Sequence, residues 1–204
     1  MDELLVWIDC EMTGLDVAND RLLEVACLVT DSELTVLDEG IDIVLSAPEE
    51  SLAGMVPVVQ EMHRSSGLTD AVRASGVSIE QAQAQVLEFV RAHVPTPGRA
   101  PLCGNSIATD RGFLAAWMPE LDAYLHYRMV DVSSLKELAR RWYPRIYASA
   151  PDKAGGHRAL ADIHESIREL AYYRATMFVE PPGPTVPEAK AKADALAPPA
   201  ESVD

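Results

Sequence analysis

Three apolar runs open the chain before any helical periodicity begins: Leu4–Ile8, Leu22–Thr30, and Leu34–Leu45, the last broken at Gly40. Continuous Leu- and Val-rich runs of this length predict strands. Helical patterns follow. Ser78 can cap a helix reaching about Val94, with Ile79, Ala82, Val86, Leu87 and Val90 as its apolar stripe and Pro95 and Pro97 as its stop. Leu52–Ser65 also carries a helical pattern, whose start Pro57 obscures. "APLCGNS" predicts a short strand and a turn, and "ATDRGFLAAWM" a helix with Asp110 in its early turns. "YRMVDVSSLKELARRW" predicts a strand feeding a helix capped by Asp131 or Ser133, and the last long helix runs from near His157 to about Val179. Strands first, then strands alternating with helices, imply an α/β fold with a mixed sheet covered by helices. Function in such sheets sits at strand ends.

With 204 residues, 48% of them hydrophobic, the chain can fill one sizeable core in a single domain. Beyond Glu180 the composition changes. That stretch holds six of the fourteen prolines and almost no aliphatic periodicity, which sets an expected domain over residues 1–180 and a disordered Pro/Ala-rich tail over 181–204. The opening MDELLVWID has no basic n-region, and no apolar run reaches the roughly 18 residues of a membrane span, so a cytoplasmic protein with no membrane contact is expected. Cys10, Cys27 and Cys103 stand alone in apolar segments, as buried reduced thiols do.

A net charge of -15 argues against a protein that grips long duplex nucleic acid over its whole surface. The distribution is uneven. Between Arg128 and Arg158, seven basic residues face three acidic ones, a zone that fits either a small anionic ligand or a solvated helix face.

Asp9 and Glu11 lie at the end of the first strand, two residues apart and therefore on one face, while Cys10 turns into the core. Adjacent carboxylates near an apolar core repel and raise each other's pKa, and a divalent cation makes the arrangement favourable. Taken alone, the pair describes an exposed strand end equally well. Asp110 and Asp162 add weight, since both follow small-residue turns and fall near helix starts, although a helix-start Asp by itself is ordinary dipole compensation. An all-oxygen donor set selects Mg2+ or Mn2+ over zinc. His157 precedes Asp162 by five residues, about 140° around an ideal helix, so it belongs at the helix entrance, beside Gly155 and Gly156. There it suits either a general base taking a proton from water or a capping histidine. His63, His93, His126 and His164 receive no catalytic role.

"WIDCEMTGLD", "GNSIATDRGFL", "HYRMVDVSSLKELARRWYP" and "HRALADIHESIRELAYYR" together resemble the oligoribonucleases, a family of DEDDh 3′ to 5′ exonucleases with a ribonuclease H-like fold. The resemblance spans about Asp2 to Glu180. It implies a mixed central sheet with helices on both faces, two Mg2+ or Mn2+ ions held by Asp9, Glu11, Asp110 and Asp162, and His157 as general base. Asp9 would bridge both ions. It further implies hydrolysis of short RNA, especially 5′-phosphorylated dinucleotides, to nucleoside 5′-monophosphates. By motif position Ser106, Arg128 and Ser133 would bind the 5′ phosphate, Tyr127 would come from the other subunit of a homodimer, and Leu15 would wedge between the bases. One departure stands out. Val58 occupies the place where many members of the family carry an aromatic ring, so base stacking worth about 1–3 kcal/mol is missing there.

Two other functions compete with that one. A related exonuclease would trim longer RNA or single-stranded DNA, and a non-catalytic dimeric module would keep the fold without hydrolysis. The acidic body and the HYR block speak against the first, and the presence of all five catalytic residue types against the second.

Overall fold

The computed structural model describes residues 3–152 and 156–196. Its elements in chain order are β1 (Leu5–Met12), β2 (Leu22–Thr30), β3 (Ile41–Val44), α1 (Glu49–Ala53), α2 (Pro57–Ser65), α3 (Leu68–Ala74), α4 (Ile79–His93), β4 (Pro101–Gly104), α5 (Ala108–Trp117), α6 (Pro119–Tyr124), β5 (His126–Asp131), α7 (Val132–Trp142), α8 (Pro144–Ala148), α9 (Ala159–Met177) and α10 (Val186–Ala195). The strands form one mixed sheet in the order β3-β2-β1-β4-β5. β2 pairs antiparallel with β1 and β3, whereas β4 runs parallel to both β1 and β5.

Alternation along β1 divides the core into two layers. Val6, Ile8 and Cys10 pack with α4, α5 and α6 on one face; Trp7 packs with α7 and α9 on the other. Every residue of β2 is buried because the strand is covered on both faces, which explains its unbroken apolar run around a single charge, Glu24. The expected α/β fold with helices on both faces of a mixed sheet is present, and Cys10 faces the core as its parity requires.

Local chemistry accounts for the boundaries. β1 runs past Ile8 to Met12, since its pairing with β2 continues through Asp9↔Ala26 and Glu11↔Glu24 before a bulge at Met12. Leu34–Leu45 is not one strand. Gly40 turns at φ 76, and a Cβ there would meet the Cys27 carbonyl at 2.9 Å; Ile41–Val44 forms the strand, and before the turn Val36 makes an isolated bridge to Thr30. Pro57 starts α2 at its first turn and holds Val56 extended, which splits the expected helix into α1 and α2. Ser78 caps α4 through a reciprocal box with Gln81. For α7 the cap is Asp131, which accepts from the Ser133 amide.

Past Glu180 no residue is buried among those described. Composition leads to an expectation of disorder there, and the structure has α10 over Val186–Ala195, started by a capping box between Thr185 and Glu188 and exposed along its whole length. The expected tail also takes in residues 197–204, which lie outside the described residues. A domain boundary near residue 180 is our proposal.

Candidate active site

β4 is short, and its end exposes the flank of β1. β4 pairs with β1 at Val6↔Leu102 and Trp7↔Cys103 and finishes at Gly104, where a Cβ would stand 3.1 Å from the Ile8 carbonyl. Beyond that close approach the chain turns into α5, and the Cys10 amide, left without a strand partner on that side, donates to Asp110 Oδ1 at 3.0 Å. Asp110 therefore comes to β1 from the first turn of α5.

On the other face Asp9 and Glu11 continue the row that begins with Trp7, toward α9. Glu11, His157 and Asp162 each offer a ligand atom, and the three atoms lie within 4.8 Å of one another. Asp162 sits in the first turn of α9, its amide bonded to the Arg158 carbonyl at 3.0 Å. His157 lies just before that helix, exposed, in the left-handed region at φ 46. It occupies the helix entrance, as its spacing from Asp162 requires. Gly155, the first glycine of the loop, lies outside the described residues.

The electrostatics are those of crowded, desolvated carboxylates. Burial first, and then the charges of Asp162, Glu24 and Asp110, together push the Glu11 carboxyl up to about 7 against a smaller opposing pull from Arg158. Burial also pushes Asp110 up to about 7. The Glu11 and Asp162 carboxylates, gathered with the His157 imidazole, are costly to leave ionised side by side and fit a divalent cation; Asp9 and Asp110 flank this group from β1 and α5 and are not part of it.

The remaining predicted residues fall into two groups. Ser106 and Ser133 are in contact, with Oγ atoms 3.1 Å apart and the Ser106 amide donating to both Ser133 Oγ and Asp131 Oδ1 at 2.9 Å. Asn105 ties this pair to α9: its Oδ1 accepts from Ser133 Oγ, and its Nδ2 donates to Ser166 Oγ, which in turn donates to the Asp162 carbonyl. Tyr127 and Arg128 form their own pair on the edge strand β5, with Arg128 Nε donating to Tyr127 Oη at 3.0 Å and Tyr127 72% exposed. Leu15 is 76% exposed on a loop stapled from within, where Asp20 accepts from Thr13 Oγ1 and the Asp16 amide. Gly14 is needed there, since a Cβ would lie 2.4 Å from Asp20 Oδ2. Val58 is exposed on α2.

His63, to which the sequence gives no role, is wholly buried at this site. Its Nε2 donates to the Met12 carbonyl at 2.8 Å, which turns Nδ1 toward Glu11 Oε2 at 3.9 Å. A histidine near the end of an amphipathic helix carries no signal of such a contact.

The family pattern RNase_T, described as Exonuclease, matches residues 6–170. An oligoribonuclease of Rhodococcus jostii (strain RHA1) is 62% identical over 97% of this chain and 100% of its own length. One of Nocardia farcinica (strain IFM 10152) is 62% identical over 96% of this chain and 90% of its own. A solved structure of exonuclease I superposes with a TM-score of 0.68 at 15% identity, covering 86% of this chain; this chain spans only 41% of that one, so the likeness is one of fold.

Proposed function

Since the chain belongs to the oligoribonuclease family of exonucleases and is a hydrolytic 3′ to 5′ exoribonuclease of short RNA, we propose that it takes 5′-phosphorylated dinucleotides by preference and releases nucleoside 5′-monophosphates. Asp9, Glu11, Asp110 and Asp162 hold two Mg2+ or Mn2+ ions. Such ions, when bound, acidify water and stabilise charge at phosphorus during in-line displacement. His157 accepts the proton of the attacking water at an imidazole nitrogen, from an exposed position that a water molecule can reach. Glu11 and Asp162 orient the reacting end from two directions, one from the sheet and one from α9.

Ser106 and Ser133 present adjacent hydroxyls and, with Arg128, receive the 5′ phosphate. A site that holds the 5′ phosphate there and the 3′ linkage at the acids would prefer a short substrate, which is the basis of the proposed preference for dinucleotides. Leu15, on its stapled loop, contacts the bases. Tyr127 and its edge strand fit a homodimer in which each subunit closes the other's site. No described helix is long and apolar enough to cross a membrane; the three cysteines are free and buried. A cytoplasmic location agrees with both features.

The observation that carries this proposal is the approach of Glu11, from β1, to His157 and Asp162, from the entrance and first turn of α9, with ligand atoms within 4.8 Å of one another. The test is turnover of an end-labelled 5′-phosphorylated diribonucleotide with and without chelator, beside a long single strand. Release of 5′-monophosphate that stops with chelator, and is faster per end on the dinucleotide, is expected. Faster degradation of the long strand would overturn the substrate preference.

A further inference from the structure

A second buried carboxylate lies beside the acidic cluster and has no part in the chemistry above. Glu24 of β2 is fully buried, directly across the ladder from Glu11. Its Oε1 accepts from Arg158 Nε at 2.7 Å and Nη2 at 2.5 Å, and its Oε2 accepts from the Ala159 amide at 3.1 Å. Arg158 is the N-cap of α9 and supplies no side-chain cap of its own. The first orphan amide of the helix is instead met by a carboxylate from the sheet, with the helix dipole in the favourable sense. Asp42 Oδ2, 3.8 Å from Nη2, adds a second acidic neighbour. The guanidinium is thus held by charge-assisted bonds on a rigid strand.

The residue that precedes this anchored Arg158 is His157, whose φ of 46 is a backbone state that an L side chain adopts only when its surroundings impose it. We propose that Glu24 and Arg158 are positioning residues: by fixing the entrance of α9 against β2 they impose that backbone state and aim the imidazole at Glu11 and Asp162. The inference rests on His157 being the base of the proposed reaction.

The test compares Arg158→Met and Arg158→Lys in the wild-type and His157→Ala backgrounds, with steady-state kinetics on a 5′-phosphorylated diribonucleotide. In the wild-type background, Arg158→Met should lower kcat at least about tenfold, inside the roughly 10²–10⁴-fold worth of a general base. KM should stay within about twofold, because the loss falls on the transition state. Arg158→Lys, which keeps a cation near Glu24, should recover part of the rate. In the His157→Ala background neither substitution should lower the residual rate further. Independently of activity, hydrogen exchange in the metal-free protein should quicken at the Ala159 amide, which donates to Glu24, in Arg158→Met and not in α4. An unchanged kcat, a rise in KM alone, or an equal further loss without His157 would overturn the proposal. Full activity of His157→Ala itself would instead overturn the assignment of the base, and the positioning role with it. If Arg158→Met lacks native circular dichroism, Glu24→Gln, which keeps the shape and one acceptor, should show the same pattern.

Discussion

Glu11 and Glu24 are direct cross-strand partners on one face of the sheet, both buried, and their carboxylates are engaged differently. Glu24 is neutralised by Arg158 at 2.5–2.7 Å, while Glu11 faces Asp162 and His157 with its carboxyl pushed up to about 7. Like charges placed opposite each other on antiparallel strands destabilise a sheet. The protein answers one of them with its own cation; in the proposed site a divalent ion would offset the other.

Stability without metal should fall as pH rises. Glu11 and Asp110 have folded-state pKa values of about 7, above their ordinary 4.5 and 3.8. A carboxyl raised on folding favours the fold while protonated, so its contribution is full below its ordinary pKa and lost as pH climbs through about 7. Thermal melting of metal-free protein should show Tm dropping by several degrees between about pH 4.5 and 7.5, as expected for a few kcal/mol in a chain of this size. Saturating Mn2+ at the higher pH should restore it. A flat Tm across that range would contradict the crowding of these acids.

Removing His63 should destabilise the site from beneath. His63→Ala leaves the Met12 carbonyl without its buried donor, at about 1–3 kcal/mol in denaturant unfolding, and frees Glu11 to shift. Manganese affinity should weaken alongside. A loss of stability with wild-type metal affinity would restrict His63 to packing.

The base-binding face should be improvable. Val58 is 74% exposed on α2, in the place where the resemblance expects a ring. Val58→Trp should lower KM for dinucleotides by about five- to a hundredfold, the equivalent of one stacked base, with kcat little changed. Leu15→Ala should move KM the other way. No change in KM for either variant would place the bases elsewhere.

A shared site should reveal itself by complementation. If Tyr127 serves the neighbouring subunit, Tyr127→Ala and His157→Ala chains are each weak alone, yet their mixed dimer holds one intact site. Equal mixing should recover up to about a quarter of wild-type activity, since half the dimers are mixed and one of their two sites is complete. Absence of recovery with exchange demonstrated would assign Tyr127 to its own chain.

Much of this was legible before any coordinates, for physical reasons. β2 and α4 announce themselves by an unbroken apolar run and a capped 3.6-residue stripe, and the parity of Asp9 and Glu11 follows from strand geometry alone. The small-residue turns before Asp110 and Asp162 place both near helix starts, where they are found. The apolar run of β1 stops at Ile8, and its continuation through Asp9 and Glu11, expected from their place at the strand end, is held extended as far as Met12 by pairing with β2. α3, α6 and α8 are too short for periodicity. The contacts of Glu24 with Arg158 span 134 positions, and the only trace they leave in the sequence is one charge inside an apolar strand.

Calorimetric titration of Mn2+ into metal-free protein, beside Glu11→Gln and Asp162→Asn, tests most directly whether these acids exist to hold cations. Two ions per wild-type chain, with at least one site lost or weakened about tenfold or more in each variant, is the expected result. Equal stoichiometry and affinity in all three proteins would contradict it.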